Sequence, residues 1–407
     1  MGSLENTAVN AILRRIRARR NAAPANGTRP IQPARAAVPA RLRAAALSDY
    51  DAITELKRRG GIVVDPIENW ERLWVRNPAV ELMPGLAIGW VLEAQGKIIG
   101  YLGNVPLLYQ YAGKTLTAVA GTGFVIDPEY RANSLTLDSA FYRQKMIDLH
   151  LATTAIEAVG KLAVAFRSAP LPQPDCDAIL FWVLQPYSFA QAVVKKLDLA
   201  RPFAGIGNVL TTLVVQSDKI LQQRWPSQCA SDLEATEVGV REIGEQFQTF
   251  WEEKLNEGPR MYADRSAATL RWHFEIPGHK GTIRVICCRR RGDLVGYAVI
   301  RNDVERPDGL KRSLVADLLA KKDDPEIVRA LIVAAFEIAR RAKSDILEVI
   351  GFPEAVRRVV SESRPYLRRL PACPFYYRAS DSILHRALAD SSAWYACAFD
   401  GDTTLIP

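Results

Sequence analysis

The residues best suited to chemistry lie between Thr117 and Gln144, in the run TAVAGTGFVIDPEYRANSLTLDSAFYRQ. Thr117 to Ile126 is β-branched and glycine-containing, which predicts a strand. Asp127-Pro128 ends it, because proline donates no ladder hydrogen bond and restricts its predecessor. Leu137, Ala140 and Phe141 then recur at helical spacing, with Asn133 or Ser134 as the N-cap. A tight turn here aims orphan backbone N–H groups, the positive end of a helix dipole and the Arg131 guanidinium at one point. Phosphate binding is the chemistry that suits this combination.

The elements that must position this turn belong to a chain of 407 residues, 48% of them hydrophobic. That length supports two domains, each with its own core. No apolar run reaches the length of a membrane span. The cysteines are scattered except for Cys287-Cys288, whose side chains would face opposite ways in a strand. With no CxxC, no HExxH and only four histidines, neither a metal site nor a disulfide framework is expected, and a reducing cytosol is the expected compartment. The formal charge of +8 belongs to the start of the chain: residues 1–43 carry nine arginines and one acid, and the remainder is neutral. A nucleic-acid-binding body would carry its own positive excess. Nucleic-acid contact is therefore expected from the tail alone, if at all.

Four segments follow from the pattern. Residues 1–40, rich in Ala, Arg, Pro and Asn, read as a disordered basic tail. Residues 41–216 form a first domain, 217–235 a connection, and 236–407 a second domain. In the first, Gly89 to Glu93 and Lys97 to Leu102 read as a hairpin turning at Ala94-Gln95-Gly96. Leu107 to Tyr111 and Leu116 to Ile126 read as another, turning at Ala112-Gly113-Lys114. A helix over 134–147, a strand over Leu149 to Thr154 and a helix bearing Val159, Leu162, Ala163 and Phe166 come next. Leu180 to Leu184 and Asn208 to Gln216 are expected to close this domain. The second half repeats the order. The hexapeptide Gly96-Lys-Ile-Ile-Gly100-Tyr101 matches Gly292-Asp-Leu-Val-Gly296-Tyr297, each in a hairpin with a tryptophan upstream, Trp74 or Trp272. The predicted fold is mixed α/β, two copies of one mostly antiparallel module flanked by helices. The second copy has Asp323-Asp324-Pro325-Glu326 where the first has Arg131, which predicts a self-capped helix without a phosphate site.

The strand, D-P-x-Y-R, turn and helix, preceded by a G-x-[IL]-[IV]-G-Y hairpin, resemble the GCN5-related N-acetyltransferases. Arg131-Ala132-Asn133-Ser134-Leu135-Thr136 is similar to that family's pyrophosphate loop, with Ser134 and Thr136 where its glycines stand. The resemblance implies transfer of an acetyl or longer acyl group from coenzyme A to a primary amine, by direct attack in a ternary complex, with no metal. It implies a small-molecule or amino-sugar acceptor and a pantetheine arm along Phe124, Val125 and Ile126. It also implies a backbone N–H near Gly123 or Phe124 polarising the thioester carbonyl. The tyrosine that often reprotonates the thiolate has no counterpart on the helix of Leu162 and Phe166; Tyr187, on the next loop, is the nearest substitute. Thr122 and Thr154, on facing strands, are placed to order a water. Asp400-Gly401-Asp402 reads as a C-terminal wrap onto the second copy. Two other readings stay open: Fem-type aminoacyl transfer from tRNA, and a non-catalytic binding protein that has lost its phosphate loop.

Overall fold

Two runs of strands and helices, alike in order, build two sheets. The computed structural model describes residues 40–196, 212–213, 215–217, 224–226, 231–303 and 309–406. All but the last residue of the expected basic tail, and most of the expected connection, lie outside them. The first run is β1 (Arg41–Ala44), α1 (Tyr50–Arg59), α2 (Ile67–Trp74), β2 (Gly89–Ala94), β3 (Lys97–Tyr111), β4 (Lys114–Ile126), α3 (Ser134–Tyr142), β5 (Leu149–Ala152) and α4 (Glu157–Ala165). After β6 (Ala169–Pro170) come β7 (Ala178–Val183) and α5 (Pro186–Lys196). The second run is β8 (Leu233–Val238), α6 (Glu245–Leu255), β9 (Tyr262–Ala263), α7 (Ala267–Phe274), β10 (Thr282–Arg290), β11 (Asp293–Asn302), β12 (Arg312–Ala320), α8 (Pro325–Arg341), β13 (Ile346–Ile350) and α9 (Glu354–Glu362). It ends with β14 (Tyr366–Arg369), β15 (Tyr376–Ala379) and α10 (Ser382–Ala387).

The first sheet runs β1-β2-β3-β4-β5-β15-β6, with β9 beside β3, and the second runs β14-β7-β13-β12-β11-β10-β8. Both are mostly antiparallel, with β4–β5 and β12–β13 parallel. Each sheet thus takes in strands from the other half of the chain: β9 and β15 join the first, and β7 joins the second. This corrects the expectation that Leu180 to Leu184 closes the first domain: β7 pairs with β13 and β14 instead. All six residues of β7 are buried, so the strand needs cover on both faces, and a place inside a sheet supplies it. The described parts of the expected strand Asn208 to Gln216, residues 212–213 and 215–216, are helical.

The two expected hairpins share one long strand, β3. Tight turns with positive φ at both central residues join β2 to β3 at Gln95-Gly96, β3 to β4 at Ala112-Gly113, and β10 to β11 at Arg291-Gly292. The hexapeptide repeat has a packing reason. A Cβ on Gly100 would press on Leu137 of α3 at 3.3 Å, and one on Gly296 would lie 2.6 Å from Ile327 of α8. In each half that glycine lets the helix that follows, α3 or α8, lie close across the hairpin.

One apolar cluster joins the facing sides of both sheets and takes in the C-terminal segment, including Trp394, Tyr395, Phe399 and Leu405. A second lies between the other face of the first sheet and α3, around Leu102, Val119, Leu137 and Phe141. No described helix is long and apolar enough to cross a membrane.

Candidate functional site

β4 and β5 pair only where Ala118, Val119 and Ala120 face Leu149, His150 and Leu151. Beyond that point they part, and the divergence begins at a bulge. Tyr101 of β3 faces Val125 whereas Gly103 faces Thr122, so β4 carries one extra residue at Gly123–Phe124. Gly123 has φ +62° there. The Tyr101 hydroxyl lies beside the bulge: a Cβ on Gly103 would come 2.6 Å from it and 2.8 Å from Thr122 Cγ2. That hydroxyl is buried and has no hydrogen-bond partner among the described residues.

The C-terminal segment enters this fork. Thr153 Oγ1 donates to Asp402 Oδ1 at 2.8 Å and accepts from the Asp402 amide at 3.0 Å; Thr154 Oγ1 donates to the same carboxylate oxygen at 3.2 Å. Thr122 also hydrogen-bonds this carboxylate. Burial pushes the Asp402 carboxyl above its ordinary range, against the stabilising hydroxyls of Thr153, Thr122 and Thr154. Gly401 is the residue that permits the approach. Its φ is +64°, and a Cβ would collide with the Thr153 side chain. One residue earlier, Asp400 accepts from Tyr109 Oη at 2.9 Å and from the Cys397 amide at 2.8 Å. Its carboxyl is pushed up to about 6 by burial. The segment is held along its length. Gln173 makes two hydrogen bonds to the Ala396 backbone, at 2.8 and 2.9 Å. The buried Arg72 donates to Leu405 O, and Arg301 donates to Ile406 O at 2.7 Å.

The second sheet has the same fork with an occupant. β12 and β13 pair from Arg312–Ile346 to Val315–Val349, and β12 bulges at Ala316. Tyr395 Oη donates to Leu318 O at 2.5 Å, and Cys397 Sγ contacts Ala316 O at 3.7 Å. Counted from the equivalent pairs Gly100–Ile126 and Gly296–Ala320, Leu318 occupies the place of Phe124. The chain's own tyrosine therefore bonds the strand carbonyl in the second fork. At the start of α8, Asp324 accepts from the Glu326 amide at 2.8 Å, and Glu326 adds a first-turn acid. Asp323 is bound by Lys254 and Arg260. Self-capping of this helix is as the sequence implied.

The first fork ends differently. Pro128–Asn133 forms a 3-10 helix, not a tight turn, and runs directly into α3. The Tyr130 and Ser134 amides are satisfied inside it, by Asp127 O and Arg131 O. Asn133 is the N-cap residue but its side chain makes no cap bond, because its backbone already lies in a near-helical conformation. α3 has no acid in its first turn. Its leading amides thus have no side-chain acceptor, in contrast to α8. Arg131, Ala132, Leu135 and Thr136 are exposed; Asn133 and Ser134 are half-buried. Arg59, at the end of α1, reaches Asp127 at 2.9 Å and brings a second guanidinium to the same corner. Phe124 and Ile126 are half-buried, but Val125 turns into the core, where a Cβ on Gly60 would meet it.

The structure therefore brings Thr122 and Thr154 together around the Asp402 carboxylate, where the sequence led one to expect a water. It does not bring Tyr187 to them. That residue is 57% exposed in the first turn of α5, which follows the strand given to the other sheet. Sequence reasoning passed over Thr153, Arg59 and the role of Asp402. The Asp400-Gly401-Asp402 run was visible, but its partner Thr153 is 249 residues away. Among the described residues, no three His, Cys, Asp or Glu side chains are grouped to hold a metal ion.

No protein-family model and no curated protein matches this chain. Solved structures do. A GCN5-related N-acetyltransferase from Anabaena variabilis ATCC 29413 superposes with a TM-score of 0.53 at 11% identity, covering 84% of this chain and 73% of that one. Saccharomyces cerevisiae N-myristoyltransferase with bound myristoyl-CoA gives 0.51 at 11% identity, covering 87% and 82%. At such identities the likeness is one of architecture: the chain has a GCN5-related N-acetyltransferase-like fold, with two mostly antiparallel sheets flanked by helices.

Proposed function

We propose that this chain is an acyl-CoA-dependent N-acyltransferase acting on a primary amine of a small molecule or amino sugar. The observation that carries this reading is a buried carboxylate, Asp402, held by threonines where two parallel strands part, at the same end of β4 as a helix start without a side-chain cap. Residues 41–216 hold the coenzyme, and 236–407 supply the base and one wall of the acceptor site. The α3 amides, Arg131 and Arg59 take the diphosphate. The free side of β4 at Phe124 to Ile126 binds the pantetheine amides, as Tyr395 binds Leu318 in the second fork. The Phe124 N–H polarises the thioester carbonyl.

Asp402 takes the proton that the amine loses as the nitrogen–carbon bond forms and the carbon–sulfur bond breaks. Its raised proton affinity moves it toward the range where a base works near neutral pH. Tyr101, whose buried hydroxyl keeps its proton, returns one to the leaving sulfur.

Calorimetry and thermal shift with acetyl-CoA test the coenzyme half. Binding should raise Tm, and Arg131→Glu should abolish the rise. Asp402→Asn should keep the rise while slowing thiol release from acetyl-CoA, across a panel of amines, by roughly 10²–10⁴-fold. No shift at millimolar acetyl-CoA defeats the proposal.

A further inference from the structure

Among the segments that pass from one sheet to the other, two carry a cysteine. Cys176 lies between β6 and β7, and Cys373 lies between β14 and β15. Their sulfurs are 3.9 Å apart although the residues are 197 apart in sequence. Both are half-buried, whereas Cys287, Cys288 and Cys397 are buried. The two crossings run side by side. Leu171 N donates to Phe375 O at 2.9 Å and Leu370 N to Asp177 O at 2.8 Å. Arg369 pairs with Asp175 at 2.6 Å and Asp177 at 2.8 Å, and Arg357 pairs with Asp175 at 3.0 Å. The thiols are thus held together in register by bonds on either side of them.

We propose that Cys176 and Cys373 form a reversible disulfide that locks the two crossings together. A modest rotation about each Cα–Cβ bond closes the gap to a sulfur–sulfur bond of about 2.05 Å. Cys373 is the attacking sulfur. The thiol of Cys176 and the backbone around Phe375 and Leu171 stabilise its thiolate, which lowers it to about 7. With a low-molecular-weight disulfide such as oxidised glutathione, the Cys373 thiolate attacks one sulfur and expels a glutathione thiolate. Cys176 then attacks Cys373 and expels the second. The protein dithiol loses two electrons and two protons, and one glutathione disulfide becomes two glutathiones.

The lock reaches the C-terminal segment from both sides. Gln173, three residues before Cys176, grips Ala396. Pro374, next to Cys373, accepts from the Ala155 amide at 3.0 Å, immediately after Thr153 and Thr154. Closure of the disulfide therefore rigidifies the surroundings of Asp402, whatever chemistry Asp402 performs.

The full-length protein is treated with oxidised glutathione and mapped without reduction, before and after dithiothreitol. A cross-linked peptide joining Cys176 to Cys373 is expected, with a Tm rise of about 5 °C and slower amide exchange at Ala396, all reversed by dithiothreitol. Cys176→Ser should leave a glutathione adduct at Cys373 and no Tm rise. The proposal is overturned if the wild type keeps both thiols, stops at the adduct, or joins either cysteine elsewhere. The wild-type map decides this even where a serine variant fails to fold.

Discussion

Tyr101 is a hydroxyl that the fold buries without a partner, and that is costly unless something compensates. Its ring is well placed: it stacks on Trp70 at 6.0 Å and lies under the Lys57 ammonium at 5.7 Å. Packing therefore accounts for the ring but not for the oxygen. Tyr101→Phe keeps every ring contact and removes the unpaired group. The variant should melt at or slightly above the wild-type temperature, and if the oxygen serves the leaving sulfur, acyl transfer should fall roughly 10–100-fold. A clear loss of stability would show that the hydroxyl has a structural partner, and unchanged transfer would remove Tyr101 from the mechanism. The sequence singled out this residue within its hexapeptide, yet gave no sign that its oxygen faces Thr122. Asp402 was harder still to recognise. Its environment comes from three threonines of the opposite half, one on β4 and two just past the end of β5, and no spacing in the chain encodes such a meeting.

Elements were more legible than sites, because local patterns fix them. Positive-φ pairs such as Ala112-Gly113 mark the tight turns, and Asp324-Pro325 marks the start of α8. The start of α3 was less legible, because Pro128 nucleates a 3-10 turn before the helix proper. α3 carries a second local anomaly. Asp138 is buried against the apolar cluster with one carboxylate oxygen unpartnered among the described residues. Burial pushes its carboxyl up to about 6 from an ordinary 3.8. Below pH 4 the group is neutral both folded and unfolded and has no effect. Between pH 4 and 6 the unfolded chain ionises while the folded chain holds its proton, so stability falls as pH rises. Above pH 6 the whole penalty is present, up to about 3 kcal/mol. Asp138→Asn, which cannot ionise, should melt several degrees higher than wild type at pH 8 and no higher at pH 4. Melting curves across that range check it, and a pH-independent difference would rule out a buried charge as the cause.

At the scale of the whole molecule, the repeat in the sequence conceals an exchange. Reading outward from each fork, β5 is followed by β15 from the other half, and β13 by β7 from the other half. Apolar pattern identified these strands but not their neighbours, because an all-apolar strand is equally content in any sheet that covers both its faces. The exchange has a consequence for folding. A fragment ending at residue 226 leaves β5 without its outer partner and exposes Ala178–Val183, a six-residue apolar strand of the kind that aggregates when unpaired. A fragment beginning at residue 227 leaves both β13 and β14 without the strand that joins them. Each fragment also loses half of the apolar cluster shared by both sheets. Expressed alone, each should be insoluble or lack near-ultraviolet circular dichroism; co-expressed, they should copurify as a one-to-one complex. The intact chain should unfold in one calorimetric transition, because neither sheet is complete without the other half. Two separate transitions, or one fragment folded alone, would mean that the borrowed strands are dispensable and the halves are ordinary independent domains.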